Sequence, residues 1–126
     1  PNDAESRGIK TGDIVKVHNE RGIVLCGALV HERIMPGVTY VDHGARHDPI
    51  IPGKIDRGGA INTISGEGIT SKRCVGQATS GYLVEVTKLS GSEMDQWKED
   101  YPEVFNKKYD PASGLVFDAW IEKGGK

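Results

Sequence analysis

The residues best suited to chemistry lie in a stretch rich in glycines, amides and hydroxyls. Three short segments carry them, GGAINT at 58–63, ITSKR at 69–73 and GQATSG at 76–81. Glycines let backbone N–H groups approach an anion closely, and Ser, Thr and Lys side chains donate hydrogen bonds to phosphate. Asn62 and Gln77 each carry a donor and an acceptor on one planar group, which suits the edge of a heterocycle. On the residues alone, amides that simply tie loops together are the more ordinary interpretation.

Patterns of independent catalysis are weak in this sequence. GxSxG, HExxH and Walker patterns do not occur, and GEGIT followed by Ser71 lacks the third glycine of a dinucleotide loop. His43 and His47 are four residues apart and share a face only on a helix, which Gly44 and Pro49 disfavour. We therefore expect His43 to be a hydrogen-bonding loop residue, and we expect no metal ligands.

The first half of the chain predicts a short helix followed by strands. Asn2 or Asp3 caps a helix that ends at Gly8, and KTGD and NERG are turns. The flanking segments predict a half-buried strand over DIVKVHN, with Val15 and Val17 on one face, and a strand over GIVLCGALV that is covered on both faces. Met35–Gly37 predicts a turn, and VTYVDHG at 38–44 predicts a third strand.

The second half predicts a loop system, a strand and a helical tail. Residues 45–80 show little periodicity and indicate an ordered functional loop system, and GYLVEVTKL at 81–89 predicts a strand. After it, Ser90–Glu93 and Ser92–Asp95 both fit a capping box, ahead of a helix broken at Pro102. DPASG predicts a turn, and LVFDAWIEK predicts a last strand or a docked extension. If the tail docks on another domain or subunit, its anchors are Trp97, Phe105 and Trp120.

Composition excludes several classes of protein. The 126 residues allow one domain with a core, and no apolar run approaches the roughly 20 residues of a membrane span. A formal charge of −2 argues against nucleic-acid binding. Cys26 and Cys74 have no CxxC partner, so we expect buried, reduced thiols. Seventeen glycines and 6% aromatic residues favour many short strands and tight turns.

The order of these segments resembles the C-terminal molybdopterin-dinucleotide-binding domain of the dimethyl sulfoxide reductase family of molybdenum and tungsten enzymes. The similarity is carried by DAESRGIKTGDIVKVHNERG, VLCGALVHERIMPGVTYVDHGA, GGAINTIS, TSK and GQATSGYLVEVTKL, over roughly residues 3–89. It implies a mostly β fold, a six-stranded double-psi β-barrel with short helices at 1–89, and a partly helical C-terminal extension at 90–126.

The resemblance also implies a role in holding a cofactor. In that family the barrel covers one of two molybdopterin guanine dinucleotides, whose dithiolenes chelate molybdenum or tungsten, and the cofactor carries the redox chemistry. The implied cofactor-binding residues are Asn62, Gln77, His43, Gly44, Thr70, Ser71 and Lys72, whereas catalytic residues and metal ligands lie in other domains. The implied partners are the remaining domains of the catalytic subunit and an iron–sulfur electron-transfer subunit.

Some features depart from the pattern of the oxide reductases. Arg46 stands in HGARHDPI where many of them carry an aromatic residue, and IPGKIDRGGAINTIS and YDPASG look more like pyrogallol–phloroglucinol transhydroxylases. Two other hypotheses use the same barrel. A self-cleaving pyruvoyl decarboxylase needs an early Gly-Ser bond, whereas the Gly-Ser here is Gly91–Ser92. A non-catalytic binding module is the alternative that stays open.

Overall fold

The fold is a small mixed sheet with short helices on both of its faces. A computed structural model describes residues 1–66, 68–77 and 81–106; the side chains at 69, 70, 74, 75 and 77 lie outside the description. The elements in chain order are α1 (Asn2–Ser6), β1 (Ile14–His18), β2 (Ile23–Gly27), β3 (Pro49–Ile51), β4 (Ile55–Asp56), a 3-10 turn (Ile61–Thr63), β5 (Ile69–Ser71), β6 (Cys74–Gln77), β7 (Glu85–Lys88), α2 (Gly91–Asp100) and α3 (Pro102–Phe105).

Five strands form the main sheet in the order β3-β4-β2-β1-β7, and β5 and β6 form a separate two-stranded sheet. The β1–β2 hairpin pairs Val15 with Cys26 and Val17 with Val24. β2 and β4 run parallel, with Val24 opposite Asp56, and the other pairs in the main sheet are antiparallel. The register therefore places Val17, Val24 and Asp56 on one face of the sheet.

The first face holds the better buried core. Alternate residues of β1 point to it, as the sequence predicts, and the fully buried Ile64 packs there from the end of the 3-10 turn. The buried members of this cluster are Ile9, Val15, Val17, Val24 and Ile64. Partly buried Ala4 and Ile61 bring α1 and the 3-10 turn onto the same face. Packing of Ile61 and Ile64 on this face thus holds the segment that contains Asn62 against the sheet.

The second face is covered by the C-terminal helices. Leu25, Ile50 and Ile55 are buried there, with Met94, Trp97, Tyr101 and Phe105 packed against them. Because consecutive residues Val24 and Leu25 enter opposite clusters, β2 is covered on both faces, as predicted. Trp97 and Phe105 therefore anchor the tail on this chain's own sheet, and Trp120 lies outside the described residues.

Local chemistry fixes the ends of the helices. Ser90 caps α2 in a capping box, in which its side chain accepts from the Glu93 N–H and the Glu93 side chain accepts from the Ser90 N–H. The second predicted box, Ser92–Asp95, starts inside α2. Pro102 begins α3 at a position where a missing N–H costs nothing. Glu93 also pairs with Lys16 on β1 at 2.5 Å, which joins α2 to the sheet.

The N-cap of α1 is Pro1 rather than Asn2 or Asp3, β2 ends at Gly27 rather than Val30, and β7 begins at Glu85 rather than Gly81. Two expectations about whole segments are also wrong. The predicted strand at 38–44 is irregular, and Val38 and Tyr40 are 55% and 70% exposed. An alternating pattern makes a strand only where a neighbour supplies the ladder hydrogen bonds, and the described part of the chain supplies none there. The second is the lack of regular structure at 45–80, where β3, β4, β5 and β6 form. These strands have two to four residues, too few to show a period.

The described residues do not confirm the six-stranded barrel; they show the five-stranded sheet with a few short helices. Met35–Val38 forms the predicted turn, with Gly37 at a φ of +76° and the Val38 N–H bonded to the Met35 carbonyl. Within the described ranges, helices that could cross a bilayer are absent. DPASG and LVFDAWIEK lie outside the described residues.

Candidate functional site

Asn62 lies on the 3-10 turn, with its side chain exposed, in a segment that is anchored to the core by a buried residue. Ile64, two residues later, is fully buried in the first core cluster. The Asn62 side chain is exposed and has no hydrogen-bond partner among the described residues. An amide that ties loops together would be engaged, so this arrangement favours a side chain left available for a ligand.

The β1–β2 hairpin turn supports the 3-10 turn from the side. The Asn19 amide donates to the Ile64 carbonyl at 2.8 Å, and its oxygen accepts from the Arg21 N–H at 2.9 Å. Asn19 therefore shapes its own turn and also holds the segment that follows Asn62. Asn19, rather than Asn62, is the amide that ties two loops together here.

Gly22 lets these two segments approach each other. A Cβ at this position would lie 2.6 Å from the Lys54 carbonyl oxygen and 2.9 Å from the Thr63 methyl group. Real Cβ contacts are almost never that short. Gly22, the glycine of the Arg-Gly pair, is thus required because the chain at Lys54 and at Thr63 packs directly against it.

The start of this loop is organised by Asp56, which is fully buried. Its Oδ1 accepts from the Gly58 and Ala60 N–H groups at 3.0 and 2.9 Å. Its Oδ2 accepts from the Asp48 N–H at 2.7 Å and lies 3.6 Å from Nε2 of His47. A buried carboxylate is tolerated only when hydrogen bonds replace its hydration, and these backbone donors do so.

Arg57, the next residue, contacts the C-terminal helices. Its Nε donates to Asp48 at 2.8 Å, its guanidinium donates to the Val104 carbonyl at 3.1 Å, and it lies 4.8 Å from the centre of the Phe105 ring. The partly buried Arg57 thus joins the loop to α3 through a charge pair, a hydrogen bond and a cation–π contact.

The remaining predicted residues lie on two other segments. Ser71 and Lys72 are exposed at the β5–β6 hairpin, where Ile69 pairs with Gln77 and Ser71 with Cys74. Thr70 follows the residue that pairs with Gln77, and the side chains of Thr70 and Gln77 lie outside the description. His43 is an exposed residue of the irregular segment, and Gly44 has a φ of +101° that favours glycine.

The structure therefore divides the seven predicted residues into three groups, and the contacts among described residues do not join them. Sequence reasoning missed Asp56 and Asn19, which hold the loop, and Arg21, whose guanidinium lies beside Gly66 together with the Tyr82 ring. The only sequence feature that pointed to Arg21 was the Arg21–Gly22 pair in the turn of the first hairpin. Nothing in the sequence distinguished Asp56 from other loop acids, because its burial depends on β4 pairing with β2.

Asp56 also affects the nearby thiol. Burial raises the pKa of Cys26, and the negative charge of Asp56 raises it further. Cys26 is a free cysteine and is half-buried rather than buried; the side chain of Cys74 lies outside the description. Among the described residues, three or more His, Cys, Asp or Glu side chains are nowhere grouped as metal ligands.

The described side chains fit an anionic, heterocyclic ligand better than a reaction of their own. Exposed Asn62 offers a donor and an acceptor, Ser71 a hydroxyl, and Lys72 positive charge, whereas the Arg21 guanidinium is shared with Glu20, whose carboxylate it contacts at 2.7 Å. This donor set can bind phosphate and a base edge, and it includes no activated nucleophile.

Comparison with known proteins identifies the family of this chain. The model of the family described as Molydopterin dinucleotide binding domain matches residues 1–78. The chain is 40% identical over 94 residues to a dimethyl sulfoxide/trimethylamine N-oxide reductase of Rhodobacter capsulatus. It is 42% identical over 97 residues to trimethylamine-N-oxide reductase 1 of Escherichia coli K12, and 40% identical over 96 residues to the pyrogallol hydroxytransferase large subunit of Pelobacter acidigallici.

These alignments cover 72–74% of the chain and 11% of each relative, so the chain spans about a tenth of the length of those enzymes. In these relatives the domain is one part of a larger oxidoreductase or transferase, as the resemblance implied. The similarity to the dinucleotide-binding domain of the dimethyl sulfoxide reductase family is confirmed, and the chain belongs to the molybdopterin dinucleotide-binding domain family.

Proposed function

We propose that this chain holds one of two molybdopterin guanine dinucleotides in a molybdenum or tungsten enzyme, and that Asn62 binds the guanine end. The observation that carries the proposal is the exposed Asn62 amide, which has no hydrogen-bond partner among the described residues, on a turn that buried Ile64 and Asn19 hold in place. An amide on a backbone held in position, and not bonded to another described residue, suits recognition of a base edge.

Positive charge and hydroxyls complete the proposed site. Lys72 and Ser71 at the β5–β6 hairpin and Arg21 beside Gly66 are assigned to the phosphates. The family resemblance implies four further cofactor contacts, which we include in the proposed site: Gln77, Thr70, His43 and Gly44. When bound, the metal held by the pterin dithiolenes supplies the electron and oxygen-atom chemistry, and this chain's residues bind and orient the nucleotide.

For the whole polypeptide, we propose an oxidoreductase of the class that reduces S- or N-oxides or transfers a hydroxyl group between phenols. The three relatives are 40–42% identical to the chain, so the identities do not separate these reactions. An iron–sulfur subunit is proposed as the electron partner. Within the chain, we propose residues 1–89 as the double-psi barrel and 90–126 as its extension.

The proposed partner closest to this chain is the rest of its own catalytic subunit. Among the described residues, seven large hydrophobic side chains are exposed, and five of them lie in one loop: Leu29, Ile34, Met35, Val38 and Tyr40. The loop is held in place, since the Gly37 N–H donates to Asp3 and the Val30 N–H donates to Thr11. Several exposed apolar side chains on one loop that is held in place favour an interface there.

Metal and nucleotide analysis of the full polypeptide that contains this chain tests the proposal. We expect molybdenum or tungsten and about two guanine nucleotides per metal, the ratio that two dinucleotides require. The Asn62→Ala variant should retain less nucleotide, whereas Asn106→Ala, an exposed asparagine after α3, should retain the wild-type amount. Absence of metal and nucleotide from the native protein would instead favour the non-catalytic binding module.

A further inference from the structure

Asp56 is the one fully buried charged side chain among the described residues, and its bonds converge on one loop. Its two oxygens accept three backbone N–H groups, from Asp48 on one side and from Gly58 and Ala60 on the other. Ala60 immediately precedes the 3-10 turn that contains Asn62. The carboxylate therefore fixes the path of the chain up to the proposed ligand-binding residue.

The arrangement requires a carboxylate. Because Oδ1 and Oδ2 both accept, an amide in the same place would turn an N–H₂ group toward either Asp48 or the Gly58–Ala60 pair. The loop is also closely packed at Gly58, since a Cβ there would lie 2.2 Å from the Arg46 carbonyl oxygen. Charge and close packing together select one conformation for residues 57–61.

We propose that Asp56 is a positioning residue for dinucleotide binding, which sets the loop so that Asn62 is presented in its binding orientation before the ligand arrives. The inference rests on the proposed function of Asn62. Asp56 itself is buried and does not touch the ligand. It acts by lowering the conformational freedom that the loop would otherwise lose on binding.

The test uses the full polypeptide and three variants. Asp56→Asn replaces one acceptor with a donor. Ala60→Pro removes a single N–H donor and leaves the carboxylate; the φ of −72° at Ala60 is close to that of proline. Ile9→Ala is the matched control, because Ile9 is buried in the first core cluster, outside the loop, and its loss lowers stability without touching Asp56.

Guanine nucleotide retained after dialysis is measured beside the melting temperature, and hydrogen exchange is measured over residues 58–63. We expect Asp56→Asn to lose nucleotide about tenfold faster than Ile9→Ala at an equal loss of melting temperature, the scale on which orienting partners act. Exchange at 58–63 should rise in Asp56→Asn and Ala60→Pro, while β1 stays protected. Ala60→Pro provides the same comparison if Asp56→Asn does not fold.

The two ways of failing are distinct. A wild-type protein that contains no guanine nucleotide overturns the proposed function itself. A wild-type protein that contains it, with variants that retain it as well as Ile9→Ala does, overturns only the role of Asp56. Unchanged exchange at 58–63 in both loop variants would also overturn that role.

Discussion

Replacing Gly22 with alanine tests whether close packing holds the proposed site together. The new Cβ would lie 2.6 Å from the Lys54 oxygen, which is not free to move, because it accepts from the Ile23 N–H at 2.7 Å. Overpacking of this kind costs about 1–3 kcal/mol, and weakening the Ile23 bond adds about 1 kcal/mol. Reduced freedom of the unfolded chain returns about 0.4–1 kcal/mol. We therefore expect a net loss of roughly 2 kcal/mol.

Gly27→Ala is the matched control, because Gly22 directly precedes β2, Gly27 ends it, and a Cβ at Gly27 meets nothing within 4 Å. It should leave stability unchanged or raise it by about 0.5 kcal/mol. Urea unfolding of the two variants, followed by circular dichroism, gives the difference. Equal midpoints for Gly22→Ala and Gly27→Ala would refute the reasoning, since the two changes differ only in what the methyl group meets.

Three further predictions concern other contacts. The Lys16 ammonium holds the pKa of Glu93 below its ordinary 4.5, so this stabilisation is complete above pH 4.5 and is lost as the pH falls through the lowered value. Glu93→Gln keeps a capping residue, and should cost under about 1 kcal/mol at pH 7, because the pair is part-exposed; a melting-temperature deficit that does not shrink as the pH is lowered step by step from 4.5 would contradict this. Phe105→Leu removes the ring beside Arg57 and should cost about 1 kcal/mol in urea unfolding; wild-type stability would count against the contact. Burial raises the pKa of Cys26, so at pH 8 this thiol should react with iodoacetamide more slowly in the folded protein than in the protein unfolded in urea at the same pH. Equal rates of Cys26 modification, measured by mass spectrometry, would disprove this.

The local features of the fold were the predictable ones. Val15 and Val17 alternate with Lys16 and His18, and β1 forms with the two valines buried. The Ser90–Glu93 spacing predicted a capping box that is present, and Pro-Gly predicted its turn. Each of these depends on residues within a few positions of one another, where steric and hydrogen-bonding preferences act without a distant partner.

Long-range pairing was not predictable from local pattern. The two-residue strand β4 forms because it lies parallel to β2, some 30 positions earlier in the chain. The segment at 38–44 has the better strand pattern and forms none. Whether a strand pairs depends on whether its backbone N–H and C=O groups meet those of a segment distant in sequence. The alternation of side chains indicates only which residues prefer burial.

The candidate site divides in the same way. Residue types indicated Asn62, Ser71 and Lys72 as donors, and the structure places all three at the surface. The residues that hold the loop, Asp56 and Asn19, gave no such signal. Their importance comes from burial and from bonds to backbone groups, which depend on the path of the chain rather than on the side chain alone.

The position of Asp56 and Arg57 explains how this small domain couples its two faces. Neighbouring residues of a strand point in opposite directions, so Asp56 faces the first core with Val24, while Ile55 and Arg57 face the C-terminal helices. Asp56 holds the loop that leads to Asn62, and Arg57 bonds to α3. Asp48 links the two, since its N–H donates to Asp56 and its carboxylate accepts from Arg57. Displacing α3 would therefore strain the same hydrogen bonds that set the proposed binding loop, and the helices of residues 91–105 belong to the site's support as well as to the core.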